Sequence, residues 1–274
     1  MKIIDSRVRL RTRQLLEIWT DEHKTCYSDY IHLYKMKSRL SEIPVNELIE
    51  IAAGSNIEKM MAYGITAQDN DHILEISRQF KEIIPVAGIS IEKGIRYVLR
   101  DIKKYCDEGA AAIFLSPFSL KYALNDRQLY PVYGICELMQ KTIIVHGGVH
   151  YWRGAYMWNG QPQNIDEIAV DFPELKIIVS HGGNGFGPPI LAVAQRHPNV
   201  YLEFSALNPA YMAPEFLYAA NTYLKNKCIY GSDYPLFDFN TAIGHWKKVL
   251  RDSVQELFFR QNVLDALYQA PVSY

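Results

Sequence analysis

The sequence predicts a parallel α/β barrel of the (β/α)8 type, and three observations carry that expectation. Three apolar runs end at once in a polar group flanked by glycine. They are Thr142 to Gly148 (Thr-Ile-Ile-Val-His-Gly-Gly), Lys176 to Gly183 (Lys-Ile-Ile-Val-Ser-His-Gly-Gly) and Cys228 to Pro235 (Cys-Ile-Tyr-Gly-Ser-Asp-Tyr-Pro). A continuous aliphatic run is the mark of a strand buried on both faces. A parallel barrel keeps its reactive groups just past the carboxyl ends of such strands. The second observation is spacing, since about one strand–helix unit separates the first two runs. The third is length: 274 residues, 49% of them hydrophobic, suffice for one large core of barrel size.

Eight strands are placed in order at 2–10, 59–65, 83–89, 110–116, 142–146, 176–180, 199–205 and 227–232. Helical stretches lie between most of them. The clearest is 92–108, where Ile95, Val98, Leu99, Ile102 and Cys106 fall at helical spacing and Gly109 supplies a stop. Alternating strand and helix favours right-handed parallel crossovers. An open doubly wound sheet is the alternative, but its glycine fingerprint after the first strand is replaced here by Arg-x-Arg. The chain reads as a single domain, 1–274. Residues 11–55 are too long for a simple crossover and carry Trp19, Tyr27, Tyr30, His32 and Tyr34. A lid over the barrel mouth and a surface or oligomer-contact insertion explain that segment equally well.

A formal net charge of -1 argues against a nucleic-acid binder, which needs a basic surface to neutralise phosphates. No run of about 18 apolar residues is present, so no membrane span is expected. The first residues enter a strand pattern directly and leave no room for a signal peptide. Cys26, Cys106, Cys136 and Cys228 are scattered without a C-x-x-C, as buried thiols in a reducing cytosol would be. The expected location is cytoplasmic, as a monomer or homo-oligomer.

Strand ends bring His146, His181 and Asp233 toward one cleft. Ile4-Asp5, the His146 strand, the His181-Gly-Gly strand and Gly231-Ser232-Asp233-Tyr234-Pro235 together resemble the amidohydrolase-related TIM barrels. That branch includes aminocarboxymuconate-semialdehyde decarboxylase, the aromatic acid decarboxylases and pyrone-dicarboxylate lactonase. The closing Phe258-Phe259-Arg260-Gln261-Asn262-Val263-Leu264 resembles the family's final helix. The resemblance implies that His146 is a metal ligand, that His181 polarises substrate or moves a proton, and that Asp233 is a ligand that accepts the proton of attacking water. It also implies an Asp-x-His-x-His on the first strand. This chain has Asp5-Ser6-Arg7-Val8-Arg9 there. A guanidinium stays charged and has no lone pair to offer a cation.

Three arrangements follow. A single divalent metal such as zinc is held by His146, His181 and Asp233. Or Arg7 and Arg9 take the place of the cation and grip an anionic substrate, with His146 beside them. Or the arginines pair with Asp5, Asp233 or Glu203 in a site without catalysis. Strand parity puts Asp5, Arg7 and Arg9 on one face. The incomplete ligand set favours no cofactor over a metal. The expected activity is hydrolysis of a small carboxylated compound such as a lactone, with Asp233 activating water and His181 assisting. Non-oxidative decarboxylation and an inactive anion-binding barrel are the alternatives.

Smaller signals are read more blandly. Arg11 and Arg13 read as a solvated loop rather than an anion trap, and His150 as a surface residue rather than a substrate contact. Gly183-Asn184-Gly185-Phe186-Gly187 fits a close turn as well as an anion cradle. Trp152, Arg153, Tyr156 and Trp158 wall a planar substrate or pack as loop. Ser232 lies in no G-x-S-x-G elbow. His23, His72, His197 and His245 are assigned to the surface.

Overall fold

The computed structural model describes residues 1–22, 35, 41–120, 122–150 and 154–268. Its eight strands are β1 (Ile3–Val8), β2 (Ile57–Tyr63), β3 (Ile83–Gly88), β4 (Ala112–Leu115), β5 (Thr142–His146), β6 (Ile177–Ser180), β7 (Val200–Glu203) and β8 (Cys228–Ile229). They form one sheet in sequence order, and each pairs in parallel with the next. β8 is shorter than the run 227–232, because from Tyr230 onward the chain turns to pair with β1. Ser6 N–H donates to Tyr230 O at 3.2 Å, Asp233 N–H to Arg7 O at 3.0 Å and Arg9 N–H to Tyr234 O at 2.9 Å. A parallel bridge between Val8 and Tyr234 completes the seam. The fold is the (β/α)8 barrel.

Two apolar layers divide on strand parity. Ile143, Val145, Ile177 and Val179 join the larger core between strands and helices. Ile4, Met61, Ile84, Ala112, Ile144, Ile178 and Ile229 fill the barrel interior, with Val263 and Ala266 of the last helix, Asn262–Tyr268, closing the bottom. Asn262 anchors that helix, its buried amide donating to Cys228 O at 2.6 Å and Lys225 O at 2.8 Å. The predicted helix at 92–108 is Ile95–Asp107, with Val98, Ile102, Tyr105 and Cys106 buried. Cys106, Cys136 and Cys228 are buried free thiols, and Cys26 lies outside the described residues. No helix among the described residues is long and apolar enough to cross a membrane.

Of the 11–55 segment, Arg13–Glu22 and Val45–Gly54 are helical. Val45, Leu48 and Ala52 of the second bury into the outer core, as an ordinary crossover helix does. Trp19 is described in its backbone alone, and Tyr27, Tyr30, His32 and Tyr34 of the expected lid or insertion lie outside the described residues.

Candidate active site

Inward parity, extended by one step, builds the top layer of the barrel. On β5, Ile144 points in and His146 follows two residues on. On β6, Ile178 leads to Ser180 in the same way, and on β2, Met61 leads to Tyr63. By the same parity the inward residue ending β7 is Glu203. β1 obeys a different count. Asp5 pairs with Met60 and Val8 with Ala62, so β1 holds one residue more than β2 across that interval. Such a bulge shifts the alternation. Val8 joins the outer core, and Arg7 turns into the barrel. The expected common face for Asp5, Arg7 and Arg9 is thereby corrected. Asp5 instead ties the seam, its Oδ1 accepting from Ser232 N–H at 2.9 Å and Arg7 N–H at 3.1 Å.

Arg7 and Arg9 converge on one atom. The Nε of each lies 3.4 Å from Asp233 Oδ1. Arg7 is 4% exposed, whereas the Arg9 side chain, at 19%, reaches the mouth. Arg7 also donates to Ser180 Oγ at 3.1 Å. Its guanidinium carbon stands 4.5 Å from the Tyr63 ring centre and 5.0 Å from that of Phe114, in cation–π contact. Burial alone would raise the Asp233 pKa, but Arg9, Arg7 and His181 outweigh it and hold the carboxyl below its ordinary value. For Asp5 burial wins, and its pKa is pushed up to about 7.

The histidines cluster beside this group. Ring centres of His146 and His181 are 4.5 Å apart, and His150 lies 5.1 Å from His146 and from Phe118. Phe118 meets His146 edge-on at 5.0 Å. His150 is therefore part of the cluster and not a surface residue. Burial, seconded by the arginines, lowers the pKa of His150 and of His181 to about 4. Burial, then His181 and His150, also holds His146 well below the usual imidazole range. All three rings are neutral at pH 7. Among the described residues, buried His146 Nδ1 has no hydrogen-bond partner.

The glycines of the motifs serve close approach. A Cβ on Gly148 would come within 2.6 Å of His181 Cβ. One on Gly231 would lie 2.3 Å from Glu203 Oε1 and 2.8 Å from Ser6 Oγ. His181 and Asp233 themselves adopt φ of 59° and 56°, a left-handed backbone that costs a non-glycine residue energy and recurs at functional positions.

These neutral rings make stability depend on acid. An unfolded His181 takes up a proton below 6.5, and the folded one only near 4. The unfolded state thus binds more protons between those limits, and stability falls as pH falls through that window. At 1.36 kcal/mol per pH unit, His181 alone contributes a loss of about 3 kcal/mol. Melting curves from pH 7 to 4.5 should show the decline, and His181→Gln should flatten it. An equal slope in that variant would refute the assignment.

Other expectations are corrected here. Arg11 is buried, donating to Ser41 O and Tyr234 OH at 2.8 Å each, so it braces the mouth rather than sitting in a solvated loop. Arg13 is exposed and pairs with Glu17. His197 is buried against Asp166 at 2.6 Å, His72 is half-buried against Thr12 at 3.1 Å, and His245 is half-buried near Phe237. His23, Trp152 and Arg153 lie outside the described residues, while Tyr156 and Trp158 are exposed. In the 183–187 stretch, Asn184 N–H bonds His181 O and Phe186 N–H bonds Gly183 O, so these amides serve a turn.

Arg7 and Arg9 weigh against a metal ion at this position. Among the described residues no group of three or more His, Cys, Asp or Glu side chains is placed to hold one. Asp233 Oδ1, the carboxylate oxygen at the centre of the cluster, already faces two guanidinium groups. The set His146, His181 and Asp233 would have to bind a dication against that field.

The sequence profile of the amidohydrolase family matches residues 44–265. No curated protein matches the chain. Solved structures do. An uncharacterized TIM-barrel protein of Bordetella bronchiseptica matches with a TM-score of 0.80 at 22% identity, over 98% of this chain and 99% of that one. A 5-carboxyvanillate decarboxylase of Novosphingobium aromaticivorans, complexed with manganese and 4-hydroxy-3-methoxy-5-nitrobenzoic acid, gives 0.70 at 13%, over 97% and 96%. A probable 2-pyrone-4,6-dicarboxylic acid hydrolase of Acinetobacter baumannii, with citric acid bound, gives 0.67 at 14%, over 97% and 99%. At these identities the likeness is one of fold.

Proposed function

This chain belongs to the amidohydrolase family, and we propose that it hydrolyses a small carboxylated lactone or similar cyclic ester, with Arg7 and Arg9 in place of a metal ion. One observation carries the reading. Two guanidinium groups and a neutral imidazole surround one ionised carboxylate at the carboxyl end of a barrel. Arg9 grips the substrate carboxylate at the mouth, and Arg7 supplies positive charge where the carbonyl oxygen becomes an oxyanion. Asp233, held as an anion, accepts a hydrogen bond from water and orients it. His181 takes the proton as water oxygen attacks the carbonyl carbon, and returns it to the ring oxygen when the acyl C–O bond breaks.

Decarboxylation needs an acid to protonate carbon. His146 and His181 are both held neutral, which ranks it second. The solved relatives keep both reactions in view, since one is a decarboxylase and another a probable pyrone-dicarboxylic acid hydrolase.

The test is a panel of carboxylated lactones headed by 2-pyrone-4,6-dicarboxylate, with protein purified without chelator and its metal content measured. Hydrolysis should proceed, resist a chelator and gain nothing from zinc or manganese. Its acid limb should lie near pH 4 to 5, because His181 loses its basic form only near 4. One equivalent of zinc or manganese that survives dialysis and is required for turnover would overturn the reading. Carbon dioxide release from an aromatic acid, without lactone hydrolysis, would give the second reaction its place.

A further inference from the structure

We propose that Glu203 is a positioning residue for His181, acting through Ser205, so that the imidazole presents an unprotonated Nε2 to the site. The proposal rests on the role given to His181 above and names the groups that prepare it.

The hydrogen bonds leave one consistent assignment of protons. His181 Nδ1 lies 3.0 Å from the Ser205 carbonyl oxygen and 3.0 Å from Ser205 Oγ. A carbonyl has no proton to give, so Nδ1 carries the hydrogen and donates. Ser205 Oγ then receives from Nδ1 and must direct its own hydrogen elsewhere. It donates to Glu203 Oε2 at 3.0 Å. Glu203 therefore acts as an acceptor at the far end of the chain. A neutral ring protonated at Nδ1 has its lone pair on Nε2. A carboxylate two bonds away in such a chain also favours the positive ring formed when Nε2 takes a proton.

The placement of Glu203 is built into the fold. It is 0% exposed at the end of β7, within an otherwise apolar strand. A buried carboxyl at such a position is costly unless a charge partner and hydrogen bonds support it. Burial raises its pKa above the ordinary carboxylate value, and Arg7 and the Ser205 hydrogen bond offset that only in part. Gly231 is the residue whose missing side chain leaves room for its Oε1. The Gly-Ser-Asp motif thus clears space for an acid on the neighbouring strand.

The test reads the ring directly, so it does not depend on having found the substrate. Full-length protein labelled with 15N-histidine is compared with Glu203→Gln, Ser205→Ala and Ser205→Thr at about pH 7. Wild type should show His181 as the Nδ1–H tautomer with a downfield Nδ1–H proton. In Glu203→Gln the amide can donate to Ser205 Oγ, which then points its hydrogen at Nδ1. The Ser205 carbonyl still calls for a hydrogen on Nδ1, so a share of the Nε2–H tautomer should appear beside the Nδ1–H form in that variant. In Ser205→Ala the Nδ1–H resonance should move upfield, and Ser205→Thr should hold it in place. Where 2-pyrone-4,6-dicarboxylate is hydrolysed, kcat should fall about 10–100-fold in the first two variants with KM within about threefold. If Glu203→Gln does not fold, Ser205→Ala against Ser205→Thr decides. An unchanged His181 spectrum in the alanine and glutamine variants overturns the relay, and Glu203 is then a structural acid. Lack of lactone hydrolysis with the tautomer pattern as expected counts against the proposed reaction and leaves the relay standing.

Discussion

Asp233→Asn is expected to abolish turnover and to weaken the fold in the same stroke. In the proposed reaction the carboxylate orients the water that His181 deprotonates, and general-base attack on unoriented water should lose up to about 10²–10⁴ in kcat. Ligand affinity should stay within about an order of magnitude, since Arg7 and Arg9 keep their charge. The structural cost is separate. Arg7 is 4% exposed, and Asp233 at 3.4 Å is one of its anionic partners beside Glu203. Breaking a buried ion pair from one side costs about 3–5 kcal/mol, less whatever Glu203 still offsets. Backbone geometry should persist, because Asp233 N–H still bonds Arg7 O across the seam. Kinetics, calorimetric titration with a carboxylated lactone and melting curves on the same preparation separate the effects. Turnover that survives the substitution removes Asp233 from the reaction. Affinity that collapses with no turnover to lose favours an anion-binding barrel.

How far the site could be read in the sequence depends on what each residue's neighbours revealed. His146, His181 and Asp233 were legible because each follows an uninterrupted apolar run, and the run fixes both the strand and its carboxyl end. The structure gathers them as expected. β1 was legible as a strand but not in its facing. Nothing in Asp5-Ser6-Arg7-Val8-Arg9 marks the extra residue that separates Asp5 from the arginines, because the bulge is set by pairing with β2. In the sequence Glu203 stands only as one of three possible counter-charges for the arginines. The stronger signal was an acid inside the apolar run Val200-Tyr201-Leu202-Glu203-Phe204, a place where a parallel strand has no water to offer. His150, Arg11 and His197 were misplaced for a common reason. Each lacks a periodic context, and their partners Phe118, Tyr234 and Asp166 come from distant parts of the chain.

Arg7→Lys should weaken anion binding although it keeps the charge. The guanidinium of Arg7 is spread across several partners: Asp233 and Ser180 by its N–H groups, Tyr63 and Phe114 by its planar face. An ammonium is a compact, strongly hydrated point charge and cannot reproduce the fork or the stacking. The expected loss is about 1–3 kcal/mol in binding a carboxylated lactone, the range for charge-assisted hydrogen bonds. Arg7→Met separates binding from bracing. Arg9 remains on Asp233 Oδ1 at 3.4 Å, so the carboxylate keeps one counter-charge and the barrel should fold. If Arg7 serves the ligand, Arg7→Met loses affinity at least as severely as Arg7→Lys, and kcat falls with it. If Arg7 only neutralises Asp233, Arg7→Met lowers the melting temperature and leaves affinity untouched. Titration of both variants with the same anion, and melting curves with and without it, discriminate the two. Wild-type affinity in both variants would end the case for arginine in the place of a metal ion and leave an ion pair that serves the fold alone.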